Sequence, residues 1–157
     1  MNEDTKATWL KRLSKAYGRV GRPIDRRLLT LTGGRFTIQF WQPMGALHTI
    51  GHKTGAKRAN WVLSIPDNAR FVIVASNFGR TTHPAWYRNL DANPDVRLTF
   101  HGRSKAFRAR TTSGEERQHL WDTKVTTQMP IFAVYEGTAA PREIPVVVLE
   151  PPPAASS

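Results

Sequence analysis

The chain contains no cysteine. That excludes disulfides, thiolate metal sites, iron–sulfur clusters and cysteine nucleophiles, and it fits a reducing compartment such as the cytoplasm. Long apolar runs are missing too. No stretch approaches the ~20 apolar residues of a membrane-spanning helix, and the opening Met-Asn-Glu-Asp leads into no apolar segment like that of a secretory signal. Acidic residues are scarce at the front. Residues 1–60 hold 12 Lys and Arg against 3 Asp and Glu, while residues 61–157 hold 11 against 9. Most of the formal net charge of +11 therefore sits in the first 60 residues. A basic front on a near-neutral body predicts an acidic partner: nucleic acid, an anionic membrane surface or a polyanionic small molecule.

The 157 residues make up one domain's length, and 5 Trp with 7 Phe argue for a packed core rather than disorder. Residues 6–20 read as an amphipathic helix. Trp9, Leu13, Ala16, Tyr17 and Val20 share one face, with Lys11, Arg12, Lys15 and Arg19 elsewhere. Such a helix either packs on the domain or lies on a membrane surface with its lysines toward lipid phosphates. A second helical piece is predicted over 23–31, stopped by Gly33-Gly34. We divide the chain into a basic helical segment over 1–32, a β-rich domain over 33–150 and a disordered tail over 151–157.

Strands are predicted near 45–50, 58–65, 70–76, 96–101, 104–111 and 144–149. Pro66-Asp67-Asn68 reads as the turn of a hairpin, and His101-Gly102 as a second tight turn. Pro84 opens a helix over Ala85 to Ala92, closed by Asn93-Pro94. Ser113 and Glu116 have capping-box spacing for a helix from 114 to about 127. The segment from Gln128 to Arg142, with two prolines and a glycine, reads as a loop. Short strands with helices between them predict a mainly β, α+β protein built on a small barrel. On the strands over 96–111, Arg97, Arg103, Lys105, Arg108 and Arg110 are expected to face outward.

The most informative segment is Gly51-His52-Lys53-Thr54-Gly55-Ala56-Lys57-Arg58. Two glycines let the backbone turn with its N–H groups free, and Lys53 and Arg58 can converge on one anion. It reads either as a phosphate clasp or as a solvated basic hairpin. It is not a nucleotide-binding P-loop, because His52 separates Gly51 from Lys53 and a strand follows instead of a helix. His48 and His52 lie four apart, but a metal pair at that spacing needs a helix, so no metal is expected. His83 precedes a helix and reads as a capping or packing residue, with proton donation as the other reading. The basicity also suits a single-strand nucleic-acid barrel, but the aromatics fall on core-type alternation, so no nucleic acid is expected.

Four segments in order resemble one family. They are Thr49-x-Gly51-His52-Lys53-Thr54-Gly55-x-x-Arg58, then Val72 to Asn77 with Gly79, then His83-Pro84-Ala85-Trp86-Tyr87-Arg88-Asn89-Leu90-Asp91-Ala92-Asn93-Pro94, and last Arg142 to Pro151. Together they are similar to the deazaflavin-dependent nitroreductases, also described as quinone reductases dependent on reduced coenzyme F-420. The resemblance spans about residues 30 to 151. It implies a split β-barrel like that of flavin reductases, and coenzyme F-420, a hydride carrier with a phosphate and an oligoglutamate tail. FMN in the same barrel is the alternative cofactor. The resemblance assigns Lys53, Thr54, Gly55 and Arg58 to the phosphate and tail. It assigns Val74, Ala75, Ser76, Asn77, Ala85 and Trp86 to the ring, and catalytic roles to Ser76 and Tyr135. Arg22, Arg26 and Arg27 are further candidates for the tail carboxylates.

The chain departs from the pattern where the nitroreductase branch carries tyrosines over the substrate. The corresponding places are Met129, Phe132 and Tyr135, and only Tyr135 keeps a hydroxyl. An apolar lid of Met129, Ile131 and Phe132 predicts a larger, greasier acceptor such as a quinone in place of a nitro compound. The expected assembly is a monomer or a homodimer, with peripheral membrane contact through residues 6–20.

Overall fold

The computed structural model describes residue 31 and residues 42–153. The expectations for residues 6–20 and 23–30, the tail-binding role of Arg22, Arg26 and Arg27, and the end of the tail lie outside the described residues. Residues 43–153 belong to the compact unit Pro43–Ser157.

Six strands form a closed antiparallel barrel. They are β1 (Met44–Ile50), β2 (Lys57–Asp67), β3 (Arg70–Val74), β4 (Asp95–Phe100), β5 (Arg103–Thr111) and β6 (Val146–Glu150). Their order around the barrel is β1-β2-β3-β6-β5-β4, with β4 closing back onto β1. All six lie where period-2 patterning placed them, with ends differing by a residue or two. Helix α1 (Ala85–Ala92) follows β3. Helix α2 (Gly114–Leu120) runs on through a π-helical turn, Trp121–Val125, into a last turn, Thr126–Gln128. Helix α3 (Ile131–Ala139) precedes β6.

Two apolar clusters explain this sequence pattern. The barrel interior holds Leu47, Val62, Ile73, Val96, Leu98, Phe107, Ala109, Val147 and Leu149, with Leu90 of α1 among them. On the outside of β2, β3 and β6, Leu63, Ile65, Val72, Val74, Val146 and Val148 meet Leu120, Trp121, Val125, Phe132, Tyr135 and Ala139 from the helices. Strands β3 and β6 are thus covered on both faces, so they read as unbroken apolar runs instead of alternating ones. Among the described residues β4 and β5 have no such cover on their outer faces, and Val96, Leu98, Phe107 and Ala109 alternate with exposed positions. Arg97, Arg103, Lys105, Arg108 and Arg110 are exposed, as expected.

Three local expectations are corrected. First, the segment from Gln128 to Arg142 is not a loop. Pro130 stands at the N-cap of α3 and Pro141 lies beyond its end, so the prolines bracket the helix where interruption was expected. Phe132, Tyr135 and Ala139, at spacings of three and four, face the core. Second, Ser113 is the N-cap of α2 but makes no side-chain capping bond. Glu116 turns instead to Arg110, whose guanidinium donates to both its carboxylate oxygens at 2.8 and 2.9 Å. A bidentate charged pair outcompetes a single bond to a backbone N–H. Third, β2 continues through Pro66 and Asp67, and the turn of that hairpin is Asn68–Ala69.

Asp67 stays in the strand because its buried carboxylate is claimed from two sides. Arg70 Nε donates at 2.8 Å and Lys124 Nζ stands at 3.2 Å. The hydrogen bond from Arg70, with Lys124 behind it, holds this carboxyl below the usual Asp range against the opposing effect of burial. A depressed native pKa adds stability above the unfolded pKa of ~4 and loses it as pH falls through the native value. We expect Asp67→Asn to cost about 1 kcal/mol at neutral pH. The gap between variant and parent in urea melts should stay constant above about pH 5 and close below about pH 4. A gap that persists unchanged at pH 3 would assign the cost to packing instead of charge.

Candidate active site

The basic segment is the hairpin loop between β1 and β2. Ile50 pairs with Lys57 and Thr49 with Arg58, which leaves Gly51 to Ala56 as the turn. Its backbone is more self-contained than the sequence implied. Gly51 N donates to Ala56 O, Thr54 and Gly55 N donate to Gly51 O, and Ala56 N donates to Thr54 Oγ1. The N–H of His52 goes to Asn89 Oδ1 at 3.1 Å. Most N–H groups expected to be free are thus already used, so anion binding at this loop falls to side chains. Lys53, Thr54, Gly55 and Arg58 are all exposed. Among the described residues neither Lys53 nor Arg58 forms an ion pair. Antiparallel partners share a face, so Arg58 lies on the same face as Thr49, toward α1 and the barrel interior.

Asn89 couples this loop to α1, and sequence reasoning assigned it no role. Its Oδ1 takes both the His52 backbone N–H and His52 Nδ1, the latter at 3.0 Å, while its Nδ2 donates to Thr49 Oγ1 at 3.2 Å. The side chain is buried and uses both ends of its amide. We expect Asn89→Ala to leave the barrel folded but to weaken anion binding at the loop about three- to tenfold, roughly 0.7–1.4 kcal/mol. Isothermal titration checks it, and unchanged affinity would show that Lys53 and Arg58 need no such support.

At the other end of α1 lies the end of β3. Val74 and Ala75 are buried, and Ser76 and Asn77 are half-buried. Asn77, Phe78 and Gly79 have φ of 48°, 58° and 71°, three successive residues in the left-handed region. For Asn and Phe this costs ~1–2 kcal/mol each, so something must hold it. Asn77 Nδ2 donates to Thr82 O at 2.9 Å. Arg142, just ahead of β6, supplies the larger clamp. Its Nη1 donates to Ala75 O at 3.2 Å, its Nη2 to Ser76 O at 2.9 Å and Arg80 O at 2.7 Å, and its Nε to Arg80 O at 3.0 Å. Nη1 also lies 3.3 Å from His83 Nδ1. Burial, then the Arg142 and Arg88 cations, hold the His83 imidazole below its ordinary pKa, with Asp91 opposing. These effects favour the neutral ring.

Ala85 is exposed at the first turn of α1, and Trp86 is half-buried against the barrel cluster. His83, bonded to the turn clamp, stands two residues before α1, and from Ala85 to Asn89, bonded to the basic loop, the helix advances four residues, ~6 Å at helical rise. One short helix thus joins the two groups of candidate residues. Met129, Phe132 and Tyr135 lie elsewhere, on the helical side of β3 and β6. Phe132 and Tyr135 are buried in the outer core, with Met129 and Ile131 packed against it. Tyr135 approaches the left-handed turn, with its ring 6.4 Å from that of Phe78. The two histidines four apart have different partners: His48 Nε2 is 3.0 Å from Thr99 Oγ1, and His52 Nδ1 is 3.0 Å from Asn89 Oδ1.

The closed six-stranded antiparallel barrel, with helices packed outside β3 and β6, has the architecture of a split β-barrel. Residues 8–151 match the family model described as F420H(2)-dependent quinone reductase, and the chain belongs to that family. A protein of Mycobacterium tuberculosis provisionally named as an F420H(2)-dependent quinone reductase is 32% identical over 120 residues, covering 74% of this chain and 98% of that one. A solved F420-H2 dependent reductase is 34% identical with a TM-score of 0.63, covering 69% of this chain and 94% of that chain. Another solved chain, described as a domain-swapped dimer, is 32% identical with a TM-score of 0.64, covering 82% and 96%. The cofactor of the family is coenzyme F-420.

Proposed function

We propose that the protein transfers a hydride from reduced coenzyme F-420 to an organic acceptor, a quinone being the class that fits. The observation that carries this reading is the pairing of two unlike regions by α1. At one end, Lys53 and Arg58 are exposed cations with no ion pair among the described residues. At the other, Ser76 is half-buried just past the buried, apolar end of β3, and Trp86 is half-buried in the first turn of α1. A coenzyme with an anionic tail and a flat ring needs both, and the residues present suit it.

When bound, the coenzyme supplies the hydride chemistry. The chain's own residues then have separable tasks. Lys53 and Arg58 hold phosphate and carboxylate, with Thr54 and Gly55 shaping the loop between them. Val74, Ala75, Asn77, Ala85 and Trp86 flank the ring and exclude water. Ser76 offers a hydroxyl that makes no hydrogen bond within the described residues, and it orients the acceptor and carries a proton. Of the three acceptor-side candidates, Tyr135 comes near the turn through Phe78, while Phe132 with Met129 against it forms the apolar packing behind it; an apolar side of this kind favours a quinone over a small nitro compound. The names carried by relatives support the same acceptor class.

Fluorescence titration with F-420 and FMN side by side tests the reading. We expect quenching that saturates with F-420, weak or no response with FMN, and oxidation of the reduced coenzyme on adding menadione. FMN bound in preference to F-420 would replace this reading with the flavin alternative.

A further inference from the structure

We propose that Arg142 is a positioning residue of this site: one guanidinium holds the left-handed turn that presents Ser76 and fixes His83 as an Nε2–H donor. Arg142 acts through these two residues, and we assign it no contact with substrate.

The first half of the argument is backbone geometry. Left-handed Asn77 and Phe78 are unfavourable conformers that persist only when their surroundings over-determine them. Within the turn Gly79 N donates to Ser76 O and Arg80 N to Asn77 O, and Asn77 Nδ2 reaches Thr82 O. Arg142 adds four donations to three carbonyls on both sides of it, those of Ala75, Ser76 and Arg80. Those carbonyls flank the strained residues, so the guanidinium staples the turn shut. Its fork of fixed N–H directions is what lets a single side chain span them.

The second half is proton bookkeeping. Arginine has no acceptor, so in its 3.3 Å contact with His83 the Nδ1 atom must be the acceptor. A neutral imidazole with Nδ1 accepting carries its proton on Nε2. The groups facing His83 are Arg142 from the segment before β6, and Arg88 and Asp91 from α1, with the Tyr87 ring 5.0 Å away. Two cations against one carboxylate oppose further protonation. Burial acts in the same direction. No carboxylate among the described residues pairs with Arg142, and Asp91 opposes its effect on the ring only in part. A neutral imidazole held this way donates a hydrogen bond to developing negative charge without first having to be protonated.

The functional half of this inference rests on the hydride-transfer reading; the tautomer does not. Two experiments separate them. Long-range proton–nitrogen NMR on histidine-labelled full-length protein should show His83 as the neutral Nε2–H tautomer down to pH 6. In Arg142→Lys, whose single ammonium cannot span the same acceptors, His83 should lose that tautomer preference and take up its proton at higher pH. The same variant, shown folded by its circular dichroism and melting curve, should lose at least tenfold in kcat with menadione while the KM for menadione moves less than threefold. His83→Gln, which does not titrate, should flatten the pH profile of kcat below pH 6. An Nδ1–H tautomer in the parent protein, or wild-type kcat in a folded Arg142→Lys, overturns the proposal. If the parent protein fails to oxidise reduced F-420 at all, the hydride-transfer reading fails, and the NMR result still decides the tautomer.

Discussion

Replacing Lys53 and Arg58 together by alanine is expected to raise the dissociation constant for coenzyme F-420 at least tenfold, which corresponds to about 1.4 kcal/mol. The size follows from exposure. Each cation is solvated, and an exposed ion pair is worth ~0–1 kcal/mol on its own. A phosphate that receives Lys53 and a two-pronged Arg58 at once exceeds that, because the loop already fixes where both side chains start. Its six residues bond to one another and to Asn89, so little backbone entropy remains to be lost on binding. The affinity should also fall with salt, and the slope should be shallower in the double variant than in the parent. A coenzyme without its glutamate tail provides the control. If the double substitution weakens tailed and tail-less forms equally, Lys53 and Arg58 hold the phosphate. If it spares the tail-less form, they hold the carboxylates. Affinity unchanged for both forms would remove this loop from the site.

Gly79→Ala is expected to be the most destabilising single-atom-scale change in the described domain, costing about 3 kcal/mol. Two terms add. The residue sits at φ +71°, where a side chain costs ~1–2 kcal/mol. The new Cβ would also run into Thr138 Oγ1 and lie 3.1 Å from Tyr135 Cα on α3. Thr138 is itself bonded to Tyr135 O at 3.2 Å, and a backbone atom does not step aside, so overpacking adds ~1–3 kcal/mol. At this chain length each kcal/mol moves the melting temperature by about 2–4 °C, so a drop near 10 °C should be seen by calorimetry. Gly55→Ala separates the two terms. It has nearly the same φ, +66°, with nothing within 4 Å of its Cβ. It should show the conformational cost alone, roughly a third to a half as large. Equal losses at the two positions would mean that close packing of the turn on α3 contributes nothing.

The same two regions show what patterning can and cannot reveal. All six strands, α1 and the continuous helix from Gly114 to Gln128 were legible because period 2 and period 3.6 are local consequences of burial on one face. The doubly covered strands were legible too, since Val72-Ile73-Val74 and Val146-Val147-Val148 have no polar face to expose. The helix Ile131–Ala139 was missed because its prolines and glycine carry loop statistics. Its core-facing residues were there to be counted at spacings of three and four. The missing side-chain cap at Ser113 was not legible at all. It depends on Arg110, which the barrel brings alongside Glu116 and Glu150 at once.

The order of apolar and polar residues by itself determined a β-rich barrel, the places of its strands and a cationic turn of Gly51 to Arg58, because each of these is set by neighbours within a few positions along the chain. Only the tertiary structure decided that Asn89 anchors that turn, that Arg142 binds carbonyls some 60 residues away at 2.7 to 3.2 Å, and that the same guanidinium lies 3.3 Å from His83 Nδ1. Those contacts join β1 to α1, and the segment before β6 to the end of β3. Hydrogen bonds between elements depend on how a closed barrel stacks them in space, and residue spacing carries no record of that.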